Sequence, residues 1–521
     1  MRSMRWILAS AVVMLVCSSV LADEPAAEAK PEPKVRAWDI PEILKRVPPL
    51  KHDNTGRLPM ICITPFAMND QDKSYEEAKP LPPEVIRELK ARGLTQRYPP
   101  REKYIPCMLA LQKEGAGVVV VEDSAFNGPG GSYPENEQPI PGTLHILPEG
   151  YKGLRRPGQQ PVFPCPLVLD GWKLKADSYR EVFKKFKDAG IDVTGVWLDL
   201  EVEPYHMEAQ WDEAKNCSRC RKHFPRGVLD DFNKYQGFIM RWRANVFGAY
   251  VVAPILEVYP GISVTNWAEV ISSADIPAFG WTARGPRPPH GVGLYTAANP
   301  VVYGTTLYYR QSWRRDADPN WPLDVPHMDR LYTQLMLSQI STHEANARRM
   351  APELLSIPWV DRFCADDKDP RIPILSRERY REILRHTWLR GADGMQIFNP
   401  VWFEEDAVRS PIVVEEIEDA VAIYDEMLAY REFLDDGVTM DLTIPKATHD
   451  GPIWSGLKLK DRAVIRAFTM AAEPVTATIT PFEGGPEVEL VFPPKGATYL
   501  LTLKDGKIEA KEDKENKAAA K

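Results

Sequence analysis

Short apolar runs bounded by Gly, Pro or acids alternate, over most of the chain, with longer segments whose apolar positions recur every three or four residues. The runs LPMICITPF (58–66), GAGVVVVEDS (115–124), VFPCPLVLD (162–170), DVTGVWLDLEVEPY (192–205), ISVTNWAEV (262–270), VVYGTTLYY (301–309), ELLSIPWVD (353–361) and GMQIFNP (394–400) read as strands. Between them lie helical patterns. PPEVIRELKARG and IPCMLALQKEG share one long helical region after the first strand, and DSYREVFKKFKDAG (177–190) carries Gly190 at its stop position. CRKHFPRGVLDDFNKYQGFIMRWRANVFGAYVVAPILEVYPG, DRLYTQLMLSQISTHEANARRMA, RERYREILRHTWLRGADG and PIVVEEIEDAVAIYDEMLAYREFL supply further helices. Eight strand-then-helix units between 58 and 434 predict a parallel sheet closed into a (β/α)8 TIM barrel.

After Leu434 the helical period disappears. VTMDLTI, WSGLKLKD, AVIRAFTM, VTATITPF, VELVFP and ATYLLTLKDG are short strands between turns, which predicts a small antiparallel β-sandwich over 435–510. The N-terminus has a positive end, an apolar segment too short for a confident membrane span, and Val20 and Ala22 at the small-residue positions of a cleavage site. The expected division is therefore a signal peptide over 1–22, a flexible leader over 23–50, the barrel over 51–434, the sandwich over 435–510 and a disordered tail over 511–521. Val16 stands before Cys17 where a lipobox wants a small residue, so a secreted or periplasmic protein without a stable membrane anchor is expected.

In a barrel the chemistry lies at the C-terminal ends of the strands. The run from Asp192 ends with Asp199, Glu201 and Glu203 at alternate positions, which a continuing strand would point to one face. Unpaired carboxylates are too costly to bury, so this ladder belongs where a strand opens into a cleft, with Pro204 ending the pairing. A solvated edge strand is the plainer reading. The other strand ends offer Asp123, Asp170, Trp172, Asn266, Trp267, Glu269, Tyr308, Tyr309, Arg310, Asp361, Asn399 and Trp402. This rim is acidic and aromatic, and it lacks a phosphate cradle, a Ser-His-Asp order and a histidine cluster.

Composition narrows the classes. A formal charge of −8 without a basic block argues against nucleic acid as a partner, and 14 Trp with 19 Tyr offer flat faces for sugar rings or for a core. Acids plus aromatic platforms suit hydrolysis of a glycosidic bond in a polysaccharide or oligosaccharide, one carboxyl protonating the leaving oxygen while another acts as base or nucleophile. Glu203 is the expected general acid, with Glu201, Asp199 or Asp361 as its partner. Asp123, Trp172, Trp267, Tyr309, Asn399 and Trp402 are the expected sugar contacts. No cofactor and no catalytic metal is expected. A non-catalytic carbohydrate-binding barrel and a metal-dependent hydrolase using the ladder with His206 are the other classes.

Secretion makes the cysteines eligible for disulfides. Cys62, Cys107 and Cys165 lie in apolar contexts and read as buried thiols, while Cys364 has no evident role. Cys217 and Cys220 form C-x-x-C, with His223 and His206 close by in sequence, which would suit a closed zinc site. A local disulfide or two free thiols are equally simple readings, and in each case the pair would support the loop after the acidic strand rather than catalyse.

Glu203-Pro204 at the end of the fourth strand, with a β-sandwich to follow, resembles the clan of (β/α)8 glycoside hydrolases whose acid/base Glu stands at that place, although Val202 replaces the clan's usual Asn. DLEVEPY is also similar to the D-x-D-x-E strand of the chitinase-like hydrolases, with Glu201 for the middle Asp and Gly195 four residues before Asp199 where that pattern has an acid. The C-x-x-C, a helix and the YPG before the next strand resemble secreted hydrolase-like barrels of polysaccharide-degrading bacteria. The resemblance implies a general acid at Glu203 and a neighbouring acid that positions or attacks the sugar.

Overall fold

The computed structural model describes residues 38–68, 77–122, 144–151, 153, 165–198, 208–266, 297–321, 323–350, 355–362, 371–398, 411–441, 443 and 450–514. Eight parallel strands make the barrel wall: β1 Ile61–Cys62, β2 Arg97–Tyr98, β3 Val118–Glu122, β4 Val193–Leu198, β5 Ser263–Asn266, β6 Val301–Tyr303, β7 Trp359–Asp361 and β8 Gln396–Ile397. One sheet runs β2-β3-β4-β5 and the other β1-β8-β7-β6. A parallel bridge from Met60 to Leu94 joins them between β1 and β2, and Ala297–Ala298, just before β6, lie beside β5. The chain is a (β/α)8 barrel with an antiparallel β-structure behind it.

The count of eight agrees with the sequence pattern, but one member differs. Residues 165–169 form a turn before a helix, and the missing strand is β2, inside what reads as helical sequence. Pro166 explains the first difference, because proline breaks a central ladder. Helices α1 Pro83–Lys90 and α2 Ile105–Lys113 flank β2 and show that the expected long helix is two. The run 301–309 is also shared: after Tyr303 the chain turns into α5, below, and at the turn Gly304 passes so close to Arg362 that a Cβ would stand 2.4 Å from its carbonyl oxygen.

Outside the strands lie α3 Asp170–Asp188, α4 Phe232–Phe247, α5 Gly304–Ala317, α6 Val325–Met350, α7 Arg377–Leu389 and α8 Pro411–Leu428. In α3 the residues Trp172, Ala176, Tyr179, Phe183 and Phe186 form the buried stripe, and Gly190 at φ +77° closes the segment. Ser376 caps α7 by accepting the Arg379 amide at 3.2 Å. Part of the expected leader is structured: residues Ile40–Arg46 are a helix, with Ile40 and Ile43 in the core, because Trp38–Asp39 pairs with Phe66–Ala67. Residues 1–37, with the expected cleavage site, lie outside the described residues.

The pleat divides the wall into two faces. Ile61, Ile63, Val119, Val121, Trp197, Val301, Tyr303 and Trp359 pack together inside the barrel, while Val118, Val120, Val196 and Val360 meet the helices. Trp197 needs a special neighbour. Its indole Nε1 donates to Ser263 Oγ at 3.0 Å, and a Cβ on Gly195 would stand 2.7 Å from that nitrogen and 2.3 Å from that oxygen. Gly195→Ala should therefore lower the unfolding free energy by about 1–3 kcal/mol, the usual cost of overpacking. Denaturant melts compared with those of Gly117→Ala, whose nearest neighbours are 3.0 Å or more away, test this; equal losses would remove the argument.

The C-terminal region has strands β9 Val438–Thr439, β10 Pro452–Leu459, β11 Arg462–Thr469, β12 Val475–Ile479, β13 Val488–Phe492, β14 Ala497–Lys504 and β15 Lys507–Glu512. Order β9-β10-β11-β14-β15 forms one sheet and β12-β13 the facing ribbon. The last strand thus runs two residues into what the sequence suggests is a tail. Alternation in β11 sends Ala463, Ile465 and Ala467 to the ribbon and Val464, Arg466 and Phe468 toward the barrel. There Arg466 grips Glu382 of α7 with two bonds of 2.7 and 2.6 Å, while Arg385 pairs with Glu426 at 2.8 Å and reaches Glu382 at 3.2 Å. His386 Nδ1 lies 2.6 Å from Ser455 Oγ, which also accepts from Arg390 at 2.7 Å.

Candidate functional site

The C-terminal strand ends are where the expected site residues belong, and the structure describes three of them. Asp361 closes β7, opposite Tyr303 in the ladder and two positions beyond Trp359, so the pleat puts it on the interior face. It has no exposed surface. Around this strand end is a partly buried polar network: Arg362 donates its amide to Glu416 at 3.0 Å and its guanidinium to Glu415 at 2.8 Å, and Arg377 holds Asp419 at 2.6 Å. Burial first, then the charges of Glu416, Asp361 and Asp419, push the Tyr380 phenol well above its usual range. So much negative charge in one place is consistent with a strand end rich in acids.

Trp172 and Tyr309 need correction. Trp172 is not at a strand end; it lies in the first turn of α3, buried, with its ring edge-on to Phe247 at 5.3 Å. A sugar has no access to a ring packed under a helix, so Trp172 is a core residue. Tyr309 lies on α5 rather than on β6, because Gly304 has already turned the chain into a helix. Asp123, Asp199, Glu201, Glu203, His206, Trp267, Glu269, Asn399 and Trp402 lie outside the described residues.

The interior below the strand ends is aromatic. Tyr303 stacks on Phe398 with ring centroids 4.5 Å apart, and Phe398 meets Trp359 at 5.5 Å. Asn299 ties this layer to the wall by donating to the Ile357 carbonyl oxygen. On the outer side Glu122, the last residue of β3, is bonded by Lys175 and Tyr179 of α3. These contacts fix the ends of β3, β6 and β7 without using the interior acids.

A second group of reactive side chains lies beside the barrel top. His145, Cys165, Cys217 and Cys220 are all buried, and their ligand atoms lie within 4.8 Å of one another. Cys165 Sγ is 3.4 Å from Cys220 Sγ, and Cys220 Sγ is 3.6 Å from His145 Nδ1. The local sequence explains the convergence: the C-x-x-C enters helix Ser218–His223, which turns both sulfurs inward, while Cys165 leads into the turn that precedes α3. As protein groups alone they perturb one another. The Cys220 hydrogen bond, opposed by burial and helped by His145, lowers the Cys165 thiol to about 4. Burial lowers His145, but hydrogen bonds to Cys165 and Cys217 outweigh it and raise the imidazole to about 9. His223, one of the two histidines expected beside the C-x-x-C, is not in the group, and Cys165 is more than a small hydrophobe.

No family model matches the chain, and no curated protein matches it. Among solved structures, an Anoxybacillus alpha-amylase is 13% identical, covers 81% of this chain and 78% of its own, and gives a TM-score of 0.35. A cyclic alpha-maltosyl-(1→6)-maltose hydrolase from Arthrobacter globiformis is 9% identical over 92% of this chain and 95% of its own, with a TM-score of 0.37. A GH30 endoxylanase from Clostridium papyrosolvens is 10% identical over 83% and 90%, with a TM-score of 0.34. Scores this low assign the chain no family, activity or substrate.

Proposed function

We propose that this protein is a secreted or periplasmic glycoside hydrolase that cleaves a polysaccharide or oligosaccharide by paired carboxylate chemistry, without a cofactor. One observation carries the reading: in β4 the interior face is held by Trp197, and the sequence continues from it with acids two, four and six positions on. Asp123 likewise follows Val121 by two, and Asp361 follows Trp359 by two, so three strands carry an acid in phase with the interior. Glu203 is assigned as the general acid. Asp199 or Glu201 is favoured as its partner over Asp361, whose burial leaves it no contact with a substrate. Asp123, Trp267, Asn399 and Trp402 remain the proposed sugar contacts.

The test is release of new reducing ends from a polysaccharide panel by the purified chain. Binding of a polysaccharide without any cleavage would instead favour the carbohydrate-binding reading. The proposed export has its own test, because N-terminal sequencing of secreted protein should find Asp23 first. A lipid on Cys17, or a retained apolar N-terminus, would defeat it.

A further inference from the structure

Three thiols and one imidazole, drawn from separate segments into one buried point, form an arrangement that packing alone does not require. Tetrahedral zinc has Zn–S bonds of about 2.3 Å and Zn–N bonds of about 2.0–2.1 Å, so its ligand atoms stand about 3.5–3.8 Å from one another. The separations of 3.4 Å between Cys165 and Cys220 and 3.6 Å between Cys220 and His145 lie within a few tenths of an ångström of those edges, and none of the others exceeds 4.8 Å. We propose that His145, Cys165, Cys217 and Cys220 form a structural zinc site.

The surrounding backbone is arranged for sulfur that carries charge. Cys217 Sγ accepts the Ile146 amide at 3.3 Å and also the amide of Cys220, while Cys165 accepts that of Leu167. Three thiolates, a neutral imidazole and Zn²⁺ leave a single negative charge, which these donors offset. The alternatives account for less. A disulfide would use two sulfurs and leave the third with the imidazole. A cysteine nucleophile paired with histidine must reach its substrate, whereas all four side chains here are buried. Four protein ligands close the coordination shell, so the metal would hold structure and leave no position for a reacting water.

Its place gives the site a purpose. His145 and Cys165 belong to the connection from β3 to α3, and Cys217 and Cys220 to the connection after β4. Both connections leave the C-terminal ends of neighbouring strands. Around the cluster Ser218 donates its amide to the Ile146 carbonyl oxygen at 2.9 Å, and Arg219 donates to the Leu144 carbonyl oxygen at 3.2 Å. The metal would therefore clip two adjacent loops together, and the second of them contains Glu201 and Glu203. As for any cross-link, closing so long a loop removes conformational freedom from the unfolded chain.

Elemental analysis of the full chain, purified without added metal or chelator, should find about one zinc per chain, as a site with four protein ligands retains its ion. Cys217→Ser and His145→Ala should lose that zinc, while Cys62→Ser and Cys107→Ser should keep it. If the first two variants fail to fold, the wild type still decides: after chelation, added Co²⁺ should give thiolate-to-metal charge-transfer absorption and the strong visible bands of a tetrahedral site. Zinc-free protein with no such cobalt spectrum, a Cys165–Cys220 disulfide by mass spectrometry, or full zinc content in folded Cys217→Ser would each overturn the proposal. These readouts do not depend on sugar cleavage, so their outcome stands apart from that of the proposed activity.

Discussion

If Glu203 is the general acid proposed above, replacing it with Gln should lower turnover on any polysaccharide that the wild type cleaves by about 10²–10⁴-fold, the usual contribution of such a group, while binding survives. Glutamine keeps the shape and hydrogen-bonding reach of the side chain but has no acidic proton to give to the leaving oxygen. The neighbours matter as well. On the proposed reading, three acids at alternate positions of one strand would hold at least one carboxyl toward neutrality, which an acid catalyst needs. An aryl glycoside with a good leaving group needs little protonation and should lose much less. The deciding measurement is the ratio of the two losses in kcat. Near-normal turnover by Glu203→Gln on a substrate that the wild type hydrolyses would end the assignment, and equal losses on both substrates would move Glu203 from proton donor to nucleophile.

The largest effect on stability is expected where β11 meets α7. Glu382→Ala leaves the guanidinium of Arg466 buried without its bidentate partner, and breaking such a pair costs about 3–5 kcal/mol. Replacing both members, Glu382→Met with Arg466→Leu, should recover most of the loss, since a matched apolar pair needs no charge balance. A double-mutant cycle by denaturant unfolding measures this, and additive losses would show that the two side chains do not act as a pair. The same junction sets an acid limit. Burial lowers the His386 imidazole to about 4, against 6.5 for the free group, despite the opposing pull of Glu382. A histidine kept neutral on folding contributes fully above pH 6.5, and its contribution fades as pH falls toward 4, by about 3 kcal/mol in all. Burial pushes the Glu382 carboxyl up, but Arg466, His386 and Arg385 more than offset it and hold the group well below 4.5. Its contribution therefore persists in that window and declines only at lower pH. The melting temperature should fall from pH 6.5 to 4 in the wild type and fall less in His386→Gln; parallel profiles would exclude His386 as the cause.

Why the barrel was legible and some of its parts were not follows from particular residues. β3 is four consecutive Val before Glu122, and β4, VTGVWL, is apolar at four of its six positions; a strand buried on both faces writes itself that way. β2 is only Arg97 and Tyr98, with Gln96 before it, and no apolar run marks so short and polar a strand. The run 162–170 has enough Val, Leu and Phe to read as a strand, but its described part, 165–169, is a turn before a helix, and Pro166 there has no N–H for a ladder. The two errors offset, so the acidic run keeps fourth place in the barrel. Trp172 was misplaced with the false strand, and Tyr309 because Gly304 looked like strand interior. In the cysteine cluster the C-x-x-C half carries a local signature. His145 and Cys165 carry none, since each comes singly from a long connection, and only the folded chain brings them together. The acids after β4 show in the sequence through their period of two.

The two sheets of the wall are unevenly stitched. Among the described residues β3 shares five pairs with β4 and β4 four with β5, whereas β2 with β3, and β1, β8, β7 and β6 with one another, share only two or three, and Met60 with Leu94 bridges the sheets. Amide hydrogens of β3 and β4 should thus exchange only through large openings, and those of β1 and β8 through smaller ones. The barrel is better pictured as a stiff half carrying β4 and a softer half carrying β7, meeting at a seam. On the proposed function, a sugar lying across the strand ends of both halves would then be admitted by movement of β7 and its neighbours rather than of β4.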